Sequence, residues 1–417
     1  MKENNIQFIL NNDNIFSIQT FIPIGSIHEK KGQYGISHFL EHIKFNKSKN
    51  YDKTNFIQKI GNASVSNAYT TKDHTSYYLK SNDNDYKNLI NLMYELVFNT
   101  EFKDNDIEIE KKIIEEEKLL ISPSNNILDN LQDDIKITTE LNPYHRNVIG
   151  NLKDIKNINN EKLKKFNELY FNDYLFIISC SSDLENKVKK ICMKKFPDSL
   201  NKKLPKLKNI DSFKYSLTIR NISDKQNNLI MVFKSFNELD NNKYYINFIL
   251  NFLLSNKNTI LIRKLREEKG YIYNLSARNE SYKDFANLTI VISSKKTNNI
   301  YDILKILFEE FNKLKNEKIK DNVLKKYKKN YLSKLNYQLK DNGYLTNTIA
   351  NYIFYDRDFT IDKYKKLIND LNSNKLKEIF QLLFNYNTMS IASYGNYNNI
   401  IYTKKRFENI KKRNRKI

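Results

Sequence analysis

Tryptophan is absent from this chain, and histidine, cysteine, proline and glycine are scarce: five, two, five and eight residues respectively. So little Pro and Gly excludes collagen-like and linker-rich architectures. Two cysteines, Cys180 and Cys192, give no disulfide framework in 417 residues, and their spacing does not suit zinc. A reducing compartment is therefore expected. No apolar run reaches the roughly 20 residues of a membrane-spanning helix. The nearest, Tyr244 to Leu254, is interrupted by asparagine. The N-terminus opens directly on strand-like sequence, without a signal peptide or an Arg-rich transit segment. The expectation is an intracellular, cytoplasmic protein with no membrane partner.

What is present supports real cores. Hydrophobic residues make up 40% of the chain and aromatics 13%, carried by Tyr and Phe. The length suggests two domains of about 200 residues each. The formal charge of +22 would suit an acidic partner. Lysine, asparagine and isoleucine are raised everywhere, however, so the charge reads as compositional bias and not as a patch. The one concentrated cluster, Lys404 to Ile417, reads as a solvated, partly frayed terminus. No nucleic-acid motif accompanies it, and no specific nucleic-acid partner is expected.

The periodicities predict an opening β-hairpin around Asn11 to Asn14, a helix across Tyr34 to Phe45, and two strands between Ala63 and Ser81. An amphipathic helix through Leu89–Val97, a long charged helix through Asn105–Ile121 and a buried strand at Tyr174–Ser179 follow. Pro197 to Phe213, with two prolines in polar filler, reads as a linker. Beyond it the order recurs: a strand at Asn228–Phe236, a helix from Asn241, two strands in Tyr271–Ser294 and two further helices. The fold class is α+β with two duplicated domains, residues 1–200 and 214–417, joined by a linker at 201–213.

All five histidines, His28, His38, His42, His74 and His145, precede the linker, so only the first half can hold a histidine metal site. Two of them lie in "GISHFLEHIKF". On a helix, residues i and i+4 stack on one face, so His38 and His42 present two imidazoles with Glu41 beside them. Either a buried helix carries stray polar residues or this is a metal site. Two histidines do not suffice for catalytic zinc, which needs three protein ligands and an open position.

The spacing H-x-x-E-H is the inverzincin pattern. With its flanks, "PIGSIHEKKGQYGISHFLEHIKF" resembles the N-terminal active-site region of the pitrilysin (insulinase) family of zinc metallopeptidases. The resemblance implies a third ligand at Glu117, 75 residues after His42, and an outer-shell carboxylate at Glu110, seven before Glu117. Seven residues are about two helical turns, so both face one way. It further implies that Asn67, Ala68 and Tyr69 line a substrate cleft, and that Arg266 and Tyr273 in "LREEKGYIY" contact substrate backbone and stabilise the oxyanion. His28, His74 and His145 fall outside the ligand positions and read as structural.

By that resemblance the chain is a zinc-dependent endopeptidase with one Zn2+ per chain, Glu41 as general base, and unstructured peptides or unfolded protein as substrate. Its two domains would form half of a clamshell chamber. It would work as a homodimer, with a heterodimer as the alternative. The rival reading is a catalytically silent scaffold or partner subunit.

Overall fold

The structure, a computed structural model, describes residues 5–12, 14–120, 143–200, 215–221, 227–254, 259–294, 299–341, 344 and 348–415. These residues divide into two compact units. The first takes those of Met1–Asn125, Arg146–Lys208 and Asp341–Asp358; the second takes those of Asn126–His145, Asn209–Lys340 and Phe359–Ile417. The expected linker at 201–213 lies outside the described residues.

The first unit holds β1 (Ile6–Leu10), β2 (Ile15–Ile22), β3 (Val65–Thr70), β4 (Thr75–Asn82) and β5 (Leu175–Cys180) in the order β1-β5-β2-β4-β3. β1 runs parallel to β5, and the other pairs are antiparallel. The helices α1 (Ile36–Ile43), α2 (Lys53–Gly61), α3 (Tyr86–Phe98) and α4 (Asp104–Leu120) join the sheet, with Phe16, Ile18, Phe39, Leu40, Leu92 and Leu96 in one shared core.

The expected hairpin at the N-terminus does not form. β5 separates β1 from β2. All six residues of β5 are buried, as are seven of eight in β2, so both strands need partners on two edges. The turn residue Asn11 is fastened to β5 instead. Its N–H donates to Cys180 O at 2.9 Å, and its side chain to Ser179 Oγ at 2.7 Å.

The second unit repeats this arrangement strand for strand. β6 (Ser216–Asn221), β7 (Asn227–Lys234), β8 (Asn274–Ser281), β9 (Ala286–Ser294) and β10 (Ser390–Gly395) lie in the order β6-β10-β7-β9-β8, again with one parallel pair, β6 and β10. The duplication read from half of each domain thus extends to all five strands. Its core includes Phe311 and Phe384, stacked at 4.1 Å between ring centroids.

The basic tail is corrected too. Residues 400–415 form a helix, not a frayed end, because Thr403, Phe407 and Ile410 supply a buried face. Asn312 Nδ2 holds Asn414 O at 2.9 Å, and Tyr301 meets Thr403 through their hydroxyls. Lys404, Lys405, Lys412 and Arg413 are exposed, whereas Lys411 is buried over the Tyr215 ring. Among the described residues, no helix is long and apolar enough to cross a membrane.

Candidate metal centre

α1 is short, and its exact placement depends on its N-terminus. Gly35 caps it with a φ of +99°, a conformation that costs other L-residues about 1–2 kcal/mol. The carboxylate of Glu29 closes the turn. Its two oxygens accept the N–H groups of Gly35 at 2.9 Å and Ser37 at 3.0 Å, satisfying donors the helix leaves open. The segment after α4 reaches the same point. Asp154 accepts the N–H of Tyr34 at 3.0 Å, and Arg146 lies over the Tyr34 ring while donating to Ser26 O and Ile27 O. Gly150 passes so near Gly35 that a Cβ at position 35 would sit 2.6 Å from Ile149 O.

Glu29 is buried, and burial pushes its pKa up to about 7 even though the two N–H groups and Arg146 pull the other way. The folded value lies above the unfolded one near 4.5. Stability contributed by neutral Glu29 is therefore fully present below pH 4.5 and lost as pH rises through 7. The unfolding free energy of wild type relative to Glu29→Gln should fall by about 3 kcal/mol between pH 4.5 and 8, at 1.36 kcal/mol per pKa unit. Urea titrations at several pH values check this; a pH-independent difference contradicts it.

With α1 so placed, Ile36, Phe39, Leu40 and Ile43 enter the core and His38 and His42 lie on another face, their ring centroids 4.4 Å apart. α4 runs alongside. Ile107, Glu110 and Ile114 are buried, whereas Ile109 and Ile113 face solvent, so the expected shared face of Glu110 and Glu117 is the one turned to α1.

Glu110 Oε1 meets His42 Nδ1 at 2.9 Å, and its other oxygen accepts from Asn46 Nδ2 at 3.0 Å. That bond leaves His42 Nε2 facing Glu117 Oε2 at 3.6 Å; His38 Nε2 faces Glu117 Oε1 at 3.7 Å. One donor atom from each of His38, His42 and Glu117 lies within 4.8 Å of the others, the one such group among the described residues. Glu117 Oε2 and His38 Nδ1 are buried without a hydrogen-bond partner.

The converging His38 Nε2, His42 Nε2 and Glu117 oxygens, one of the latter buried and unpartnered, fit one divalent cation. The distances are too long for hydrogen bonds yet span the gap that a central ion with ligands at about 2.0–2.2 Å would fill. Two imidazole nitrogens and one carboxylate are a donor set zinc accepts, and the Glu110 bond is the outer-shell support such histidines use.

The two imidazoles shift in opposite directions. Burial, then the charge of His42, hold the His38 pKa down to about 3, so its ring is neutral and able to ligate. For His42 burial alone would lower the pKa, but the hydrogen bond to Glu110 and the charges of Glu41, Glu110 and Glu117 outweigh it and raise it. Glu41 is buried beside them. Burial raises its pKa, the Thr70 hydroxyl and His42 oppose that, and Glu117 adds to it.

Asn67, Ala68 and Tyr69 lie on β3, the edge strand of the first sheet, with Asn67 exposed. Ala68 N–H is taken by Asn67 Oδ1 at 2.8 Å, and Tyr69 OH accepts from Gln19 Nε2 at 3.4 Å. In the second unit, Arg266 is exposed in the helical turn Arg263–Glu268, and Tyr273, 66% exposed, leads into β8, the edge strand there. Tyr273 N–H donates to Ser293 O at 2.9 Å. His74, read as structural, is buried between Asp73 and the rings of Phe21 and Phe354. Glu29, Asn46 and Thr70 escaped the sequence reading. Each is a common residue type whose partner becomes apparent only in three dimensions.

A helix bearing two histidines, beside a second helix bearing two carboxylates turned toward them, gives a cluster that could hold a metal ion. Known proteins agree. Residues 9–143 match the family model described as insulinase (peptidase family M16), and residues 157–331 match the one described as the peptidase M16 inactive domain. The chain belongs to peptidase family M16. It is 24% identical over 385 residues to the uncharacterized zinc protease YmxG of Bacillus subtilis, covering 90% of this chain and 92% of that protein. It is 29% identical over 153 residues to the mitochondrial-processing peptidase subunit beta of Saccharomyces cerevisiae, covering 36% of this chain and 32% of that one. The crystal structure of a protease from Helicobacter pylori shares its fold with a TM-score of 0.82 at 19% identity, covering 93% of this chain and 96% of that one. The periplasmic protease PqqL of Escherichia coli matches with a TM-score of 0.77 at 16% identity, over 99% of this chain and 49% of that one.

Proposed function

We propose that this chain is a zinc-dependent endopeptidase acting on extended, unstructured peptide. One observation carries the reading: His38, His42 and Glu117 bring three donor atoms within 4.8 Å, with the carboxylate of Glu41 close enough to His42 and Glu117 to feel both charges. Such a cluster would hold one zinc, which when bound supplies a Lewis acid that polarises a carbonyl and acidifies water.

The chain's own residues do the rest. Glu110 fixes the His42 ring so that Nε2 faces the site. Glu41 takes the proton of the attacking water on a carboxylate oxygen and later hands it to the leaving amine. Among the described residues β3 is an edge strand, on which an extended peptide would add as one more strand. Ala68 N–H is one group it would claim, displacing the Asn67 side chain that holds it. In the second unit, Arg266 and Tyr273 supply donors for a substrate carbonyl as it gains negative charge.

The second half lacks histidine, so it contributes no equivalent metal site, and the "inactive domain" description of its family model suits that role. We propose a dimer, because this chain corresponds to about half of PqqL. The silent-subunit alternative is disfavoured by the presence of all four residues, His38, Glu41, His42 and Glu117.

Cleavage of a mixed library of unstructured peptides should stop on chelation and return with zinc. Cleavage that persists in chelator, or none from a zinc-loaded chain, contradicts the proposal.

A further inference from the structure

The Glu41 carboxylate is not held by α1 alone. Thr70, the last residue of β3, donates its hydroxyl to Glu41 Oε2 at 2.7 Å, and its backbone N–H also faces the carboxylate. The Thr70 hydroxyl and backbone thereby fix the orientation of the carboxylate. A general base works only within hydrogen-bond reach of the proton it takes, and a misplacement of about 1 Å costs on the order of 10²-fold in rate.

Thr70 is itself fixed with unusual thoroughness. It pairs with Thr75 across the β3–β4 turn, and Thr71 N–H donates to His74 O at 2.8 Å. The Thr71 hydroxyl donates to the same carbonyl at 2.9 Å. Asp73 Oδ1 meets His74 Nδ1 at 2.9 Å. Tyr355, from the helix Ala350–Tyr355 far along the chain but within the same unit, donates to both Asp73 oxygens at 2.9 Å, while Phe354 stacks on Phe21 at 5.0 Å. On the other side Gly25 lies against the turn so closely that a Cβ there would meet Thr71 O at 2.5 Å. The result is a rigid post beneath one hydroxyl aimed at one carboxylate.

We infer that Thr70 is a positioning residue for the reaction, holding the Glu41 carboxylate in the orientation from which it takes the proton of the attacking water. This rests on the peptidase reading above. It assigns Thr70 a task separate from that of its neighbours on β3: Asn67, Ala68 and Tyr69 would hold the peptide, whereas Thr70 holds the base.

The two tasks separate in kinetics. The full chain should be compared with Thr70→Val, which keeps the shape and loses the donor, and with Thr70→Ser, which keeps the donor. Thr70→Ala serves as a second deletion, and thermal unfolding and zinc content report that each variant is folded and loaded. Both deletions should lower kcat about 10- to 100-fold, with KM within about twofold and zinc unchanged, as expected for lost alignment of a base. Thr70→Ser should restore kcat to within about threefold. In a Glu41→Gln background, Thr70→Val should add no further loss, because the group it positions is gone.

A rise in KM with kcat intact would make Thr70 another peptide contact and overturn the inference. So would a serine variant as slow as the valine, or a further fall in the Glu41→Gln background. Unchanged kinetics in all variants, with an active wild type, would overturn the inference alone. A wild type that cleaves no peptide would overturn the peptidase reading, and this assignment with it.

Discussion

Glu41→Gln should lower peptide cleavage by about 10²- to 10⁴-fold while the chain keeps its fold and its zinc, the range general acid–base groups contribute. The substitution is nearly isosteric. A Gln side-chain oxygen still accepts the Thr70 hydroxyl, now bonded at 2.7 Å, so the local packing is preserved. What is lost is basicity: an amide cannot take the proton of water at neutral pH. Glu41 differs here from Glu117, whose oxygens face the two imidazole Nε2 atoms at 3.6 and 3.7 Å, and which on the proposed reading is a zinc ligand. Initial rates on one peptide, beside metal content, separate the two roles. A Glu41→Gln chain that retains zinc and cleaves at the wild-type rate would remove Glu41 from the reaction.

The second large effect is structural. Gly150→Ala should cost about 3–5 kcal/mol, the sum of a left-handed conformation and overpacking against backbone. At φ +75°, a Cβ on residue 150 would lie 2.5 Å from Gly35 Cα and closer still to Tyr34 O, so backbone itself must move. That backbone is the N-terminus of α1, and displacing it moves His38 and His42. The variant should therefore lose zinc affinity along with stability. Gly32→Ala is the control: its φ is +84°, but nothing lies within 4 Å of the added Cβ, so only the conformational cost of about 1–2 kcal/mol applies. Urea unfolding of the pair decides. Equal costs would mean the Gly35–Gly150 crossing does not hold α1.

How much of this was legible in the sequence follows from the distances over which the signals act. α1 and α4 were readable because helical periodicity is local; Glu110 and Glu117 were picked out by the family resemblance, and their seven-residue spacing then puts them on one face without knowing the fold. The strands of Ala63–Ser81, and β7, β8 and β9 in the second half, were readable for the same reason. Pairing was not. The run Ile6–Ile22 looks like a hairpin, yet the partner of both its strands, β5, lies more than 150 residues on, and nothing nearby announces it. β6 and β10 were missed because "SLTIRN" and "SIASYG" are short and rich in polar or small residues, and are strands by virtue of their neighbours. The terminal basic run looked solvated because its charges outnumber Phe407 and Ile410, the side chains that bury it. In the site, His38, His42 and Glu117, singled out from the sequence, lie together. Those that position them, Glu29 beneath the α1 N-terminus and Thr70 beneath Glu41, make bonds across 6, 8 and 29 residues that no spacing rule connects.

The central claim is that His38, His42 and Glu117 hold a zinc ion, and metal content tests it without reference to any substrate. Elemental analysis of the purified chain should give about one zinc per chain in the wild type and in Glu41→Gln, and little in Glu117→Ala, since a catalytic site needs three protein ligands. A wild type without zinc, or a Glu117→Ala chain that retains it undiminished, would contradict the account.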